Sequence, residues 1–95
     1  MPGEIVIGLV DDHPLVVDGL AEICNLRGGM TVRAKGASAA DAMDIARKRD
    51  CQVLVVDMNL PGDMCATIRQ SAREHLPVSF VVYTGALMDE SVEDF

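Results

Sequence analysis

An α/β fold, a doubly wound parallel sheet with helices on both faces, is predicted by two observations. Four short apolar runs rich in β-branched residues recur along the chain, and segments of helical length and pattern separate them. Near-continuous apolar runs are what strands look like when both faces of a sheet are covered. Right-handed crossovers then place a helix over the sheet after each strand.

Ile5 to Val10 is the first such run, and "DDHP" follows it. Pro14 suits the first turn of a helix, with an Asp or His before it as cap. Val16, Leu20, Ile23 and Cys24 recur at helical spacing, and Gly28-Gly29 ends the helix. Thr31 to Ala34 is a weaker strand, polar enough for a sheet edge. Ser38 caps a second helix whose inner stripe is Ala39, Ala42, Met43 and Ala46, and the basic run Arg47-Lys48-Arg49 suits its C-terminus.

Gln52 to Val56 is the third and most apolar strand. A third helix is expected from about Met64 to Glu74, with Cys65, Ile68 and Ala72 on one face and Pro77 as its stop. Val78 to Tyr83 is a fourth strand, and "MDESVEDF" looks like the opening turns of a fourth helix.

Composition limits the function. Ninety-five residues, 49% hydrophobic, make one small domain over 1–95. A net charge of -7, dispersed along the chain, argues against direct contact with nucleic acid, which needs a basic face. Cys24, Cys51 and Cys65 are odd in number and contain no C-x-x-C pair, so they are expected as buried thiols in a reducing cytoplasm. No apolar run approaches the ~20 residues of a membrane helix, and the N-terminus lacks a signal-peptide pattern, so no membrane association is expected.

The strand ends carry the chemistry. The first strand ends in Asp11-Asp12, the third in Asp57, and the fourth in Thr84 with the small pair Gly85-Ala86. In open α/β sheets polar chemistry gathers at the carboxyl ends of strands, where strand order reverses. If strands one, three and four are neighbours, three carboxylates and a hydroxyl converge on one crevice. A lone Asp after a strand is usually a cap or an Asx-turn, but three in one crevice repel one another unless a cation is present. All-oxygen ligands favour Mg²⁺ or Ca²⁺ over zinc, and few protein carboxylates suit Mg²⁺. His13 reads as a local cap or a solvent-facing residue rather than a site residue. Met58 stands at the mouth of the crevice, either gating it or under weak constraint.

Together "VDDHPLVVDGL", "VLVVDMNLPG" and "VVYTGA", in this order, resemble the receiver domain of two-component response regulators, with a flavodoxin/CheY-like fold. "DDHP" resembles in particular the subfamily whose receivers precede a LuxR-type helix-turn-helix output domain. The resemblance implies a strand order of 2-1-3-4 here, incomplete because the family's fifth β-α unit, roughly 25 to 30 residues, has no counterpart before Phe95. It implies a signalling switch rather than an enzyme, with Asp57 taking a phosphoryl group from a sensor histidine kinase. Asp12 would bind Mg²⁺ directly, Asp11 would assist through water, Asp57 would share the metal, and the Asn59 backbone carbonyl would complete the protein ligands. Thr84 would contact the phosphoryl group and relay the switch, and Pro61 and Gly62 would shape the loop beside Asp57.

Two expectations follow from the missing unit. The family's lysine on the fifth strand is absent, which makes a pseudo-receiver, a phosphorylation-independent interaction module, the alternative function. An open sheet edge and uncovered apolar surface would favour a homodimer or swapped assembly. An aspartyl-phosphate hydrolase would place a second acid where the chain has Asn59. A flavin module would need a hydroxyl- and glycine-rich loop where it has "DDHP".

Overall fold

The computed structural model describes residues 4–83. Over that span β1 (Ile5–Val10), α1 (Pro14–Arg27), β2 (Met30–Gly36), α2 (Ala39–Lys48), β3 (Val53–Asp57), α3 (Met64–Arg73) and β4 (Ser79–Tyr83) follow one another. The four strands form one parallel sheet in the order β2-β1-β3-β4. This is the doubly wound, flavodoxin/CheY-like order expected from the sequence. The chain moves outward from β1 to β2 and then crosses back to β3, so the switch point lies between β1 and β3. The expected fourth helix, and Thr84, lie outside the described residues.

Two apolar clusters fill the two faces of the sheet. On one, Val10, Leu54 and Val56 pack with Ala39, Ala42, Ile45 and Ala46 of α2 and Met64 of α3. On the other, Ile7 and Leu9 pack with Val17 and Cys24 of α1. Leu54 and Val10 are fully enclosed, and each such side chain contributes roughly 1.5–3 kcal/mol of burial free energy. Alternation along a strand sends successive side chains to opposite clusters, which is why β1 and β3 must be apolar throughout.

The helices differ from expectation in facing. α1 turns Val17 and Cys24 inward, while Val16 and Ile23, expected inside, are exposed. The apolar character of α1 runs almost all round the helix, so spacing alone could not select the buried stripe. In α3 the buried residues are Met64 and Ser71, with Ile68 partly covered, whereas Cys65 and Ala72 face solvent. Cys65 is therefore an exposed thiol, unlike Cys24 and Cys51. α3 also ends at Arg73, ahead of Pro77, because His75 turns into the left-handed region with φ 54°. The α2 stripe is as expected, with Ile45 added, and Ser38 Oγ accepts from the Asp41 backbone N–H at 3.1 Å.

Candidate functional site

The register of the sheet decides which strand ends meet. Val10 pairs with Val56, and Asp57 pairs with Tyr83. The residues just past β1, at the end of β3 and at the end of β4 therefore stand level at one edge. Asp11, Asp12, His13 and Asp57 each bring a ligand atom there, all within 4.8 Å of one another. The convergence expected of Asp11, Asp12 and Asp57 is thus present.

Asp11 and Asp57 are almost fully enclosed, at 4% and 3% exposure, and each carboxylate accepts the backbone N–H two residues on. Asp57 Oδ1 accepts from Asn59 at 2.9 Å, and Asp11 Oδ1 accepts from His13 at 2.8 Å. These Asx-type bonds turn the chain sharply out of each strand and fix each carboxylate relative to the backbone. The Asp57 loop is braced further: Leu60 is buried, Pro61 accepts a hydrogen bond from the Ala39 backbone N–H at 3.0 Å, and Gly62 sits at φ 98°. A Cβ on Gly62 would lie 2.9 Å from the Ala39 Cβ, so glycine is required for both conformation and space. Met58 packs against the core cluster shared with α2 and α3.

Two side chains in the site were not expected there. His13 takes the N-cap position of α1 without a side-chain capping bond. Its Nδ1 lies 2.6 Å from Asp11 Oδ1 and 3.0 Å from Asp12 Oδ1, with the ring still 65% exposed. The sequence reading of a solvent-facing residue is correct as to exposure, and the capping role is replaced by contact with the acids. Tyr83, the last residue of β4, donates its hydroxyl to Asp11 Oδ2. Sequence spacing gave no signal for this bond, because it depends on β1 and β4 flanking β3 at matched height. An aromatic hydroxyl ending a strand beside Asp57 was the one available clue.

The electrostatics follow from these contacts. Burial opposes the charge on Asp11, but hydrogen bonds from Tyr83 and His13 outweigh it and hold its carboxyl below the ordinary 3.8. The Asp11 hydrogen bond, then the charges of Asp12 and Asp11, raise His13 above 6.5. Burial, then the bond to Asp11 and the surrounding carboxylates, push the Tyr83 phenol well above its ordinary 10.0, so it remains a donor. Three carboxylates offset by one imidazole, all within 4.8 Å, make an oxygen-rich donor set that suits a hard divalent cation. The donor set thus fits such a cation, with Asp11, Asp12 and Asp57 as the residues that would hold it.

Fold and site together define a doubly wound α/β domain with an acidic crevice at its switch point, where three carboxylates could hold a metal ion. The chain belongs to the response regulator receiver domain family, whose model matches residues 7–94. Among curated relatives it is similar to the nitrate/nitrite response regulator protein NarP of Escherichia coli (strain K12), 37% identical over 54 residues, which are 57% of this chain and 25% of the relative. Among solved structures it is similar to a LuxR-family two-component response regulator from Aurantimonas sp. SI85-9A1, at 30% identity and a TM-score of 0.75, over 84% of this chain and 58% of that one. The signal receiver domain of the putative response regulator NarL from Mycobacterium tuberculosis shares the fold, with a TM-score of 0.82 at 23% identity over 96% of this chain and 73% of that one. The matches span between 25% and 39% of the length of the first curated relatives. Among the described residues no helix is long and apolar enough to cross a membrane.

Proposed function

We propose that this chain is the phosphoacceptor receiver of a two-component signalling pair, taking a phosphoryl group on Asp57 from a phosphohistidine of a sensor histidine kinase. The observation that carries this reading is the placement of Asp57, enclosed at a rigid strand end with its carboxylate within 4.8 Å of the ligand atoms of Asp11 and Asp12, in a chain of this family. In the transfer an Asp57 oxygen forms the new O–P bond as the P–N bond breaks. The imidazole nitrogen keeps the electron pair of the broken bond and takes up a proton from solvent. Such transfers demand positioning and charge neutralisation more than covalent chemistry from the protein, and a fixed carboxylate supplies the nucleophile.

Asp12, Asp11, Asp57 and the Asn59 carbonyl would hold Mg²⁺, Asp11 through water. The ion would supply the positive charge that lets a donor phosphoryl group approach three carboxylates. Thr84 donates its hydroxyl to a phosphoryl oxygen and passes the change in charge to the rest of the domain.

The domain acts as a switch and not as an enzyme, in the cytoplasm, and controls transcription through a DNA-binding output domain of the LuxR type. The acidic balance of the chain, -7, fits a receiver that leaves DNA contact to that output domain. Self-association is supported by exposed Leu15, Ile23 and Leu26 on α1 and Val81 and Val82 on β4.

Incubation with acetyl phosphate and Mg²⁺, followed by intact mass, tests the reading. One added phosphoryl group, abolished by Asp57→Asn and by chelation, is the expected result. No adduct at any Mg²⁺ concentration would instead favour the phosphorylation-independent interaction module.

A further inference from the structure

Tyr83 is the only tyrosine in the chain, and it ends β4 in register with Asp57 of β3. Its root is fixed by its own carbonyl, which accepts the Met58 backbone N–H at 2.9 Å. Its hydroxyl leaves both of these strands and bonds Asp11 Oδ2, just beyond β1. Since β3 lies between β1 and β4, a side chain rooted on β4 and bonded past β1 must cross the carboxyl end of β3. That end carries Asp57.

Asp11 is held from both sides. Its Oδ1 accepts the His13 backbone N–H at 2.8 Å and faces His13 Nδ1 at 2.6 Å, and its Oδ2 takes the Tyr83 hydroxyl. A carboxylate offers about four acceptor positions, so little of Asp11 is left for a cation or a cation-bound water. A ligand approaching Oδ2 meets the proton of the Tyr83 hydroxyl, the wrong end of that dipole for a cation.

We propose that Tyr83 is a positioning residue that latches the acidic site: its hydroxyl on Asp11 holds the ring across Asp57, and Asp11 surrenders the hydroxyl when it turns Oδ2 toward Mg²⁺ or a Mg²⁺-bound water, uncovering the phosphoacceptor. This rests on the reading of the acid cluster as a Mg²⁺-dependent phosphoacceptor site. It adds a link between cation loading and access to Asp57, carried by a residue outside the cation's own ligand set.

The chain has no tryptophan, so its intrinsic ultraviolet fluorescence reports the Tyr83 environment directly. A phenol bonded to a carboxylate is quenched, and release brightens it. Titration of the chain with MgCl₂ is expected to raise this fluorescence saturably, and Asp12→Asn, which leaves the Tyr83 bond in place, is expected to abolish the rise. By calorimetry Tyr83→Phe is expected to bind Mg²⁺ up to about tenfold more tightly, the change that loss of one competing hydrogen bond of ordinary net strength produces. Mg²⁺ binding with unchanged fluorescence overturns the latch, as does a folded Tyr83→Phe that binds no more tightly. Absence of Mg²⁺ binding in calorimetry of both chains removes the cation site itself and the latch with it, which separates the two failures. If Tyr83→Phe does not fold, the fluorescence titration of the unaltered chain still decides.

Discussion

His13 Nδ1 lies 2.6 Å from Asp11 Oδ1, which makes the imidazole, when protonated, the internal counter-ion of a buried acid. The two shifts agree in direction, Asp11 lowered and His13 raised. Because His13 is raised in the fold, its contribution is fully present below its unfolded value of 6.5 and is lost as pH rises through the higher folded midpoint. The urea midpoint of the metal-free chain is therefore expected to fall across that window and to stay flat there in His13→Gln. A proton NMR titration giving a His13 midpoint at or below 6.5 would contradict this.

Arg47 and Glu74 tie the end of α2 to the C-cap of α3. Arg47 Nε and Nη2 donate to Glu74 Oε1 and Oε2 at 3.0 and 2.7 Å, and Gln70 Nε2 adds a third donor at 2.8 Å. The Arg47 bond first, then that of Gln70, draws the Glu74 carboxyl down from 4.5 to about 2. A depressed acid stabilises above its unfolded value and loses that contribution as pH falls through the folded one. Solvent screening keeps the gain small for so exposed a pair. Glu74→Gln is expected to lower the urea midpoint slightly at neutral pH, by an amount that shrinks as pH falls toward about 2.

The sheet order, and with it the meeting of Asp11, Asp12 and Asp57, was implied by the resemblance of three motifs to a known family, while the alternation of strands and helices was legible because it rests on local periodicity. Helix facing was not. α1 is apolar at Leu15, Val16, Val17, Leu20, Ile23 and Leu26, and only the sheet beneath it decides that Val17 goes inside while Leu15 stays 87% exposed. The Tyr83 bond to Asp11 joins residues 72 positions apart and depends on the register of three strands, which no local pattern encodes.

Gly8 shows the same limit within a strand. Nothing in "IVIGLV" marks its glycine as structural, yet a Cβ there would sit 2.7 Å from Leu54 Cδ2 and 3.3 Å from both Cys51 Sγ and Ile45 Cγ2. Leu54 is itself fully enclosed and has little room to yield. Gly8→Ala is expected to destabilise the domain by about 1–3 kcal/mol, the usual cost of overpacking, read from urea denaturation. Retention of full stability would mean that α2 shifts outward freely.

The acid cluster makes stability itself a readout of cation binding. Asp11, Asp12 and Asp57 carry three negative charges against one imidazole, and folding is what forces them within 4.8 Å. The unfolded chain disperses them, so a divalent cation binds the folded state far better. Saturation at a hundredfold excess over Kd adds about 2.7 kcal/mol. In a domain of this size each kcal/mol moves Tm by roughly 4–8 °C. Mg²⁺ is therefore expected to raise Tm by roughly 10 °C or more, with chelation reversing the shift and NaCl of equal ionic strength failing to reproduce it. Asp12→Asn is expected to lose most of the shift while keeping the fold, since Asp12 stands outside both apolar clusters. A Tm rise that survives Asp12→Asn, or that sodium matches, would mean general screening of the -7 charge and not a bound ion.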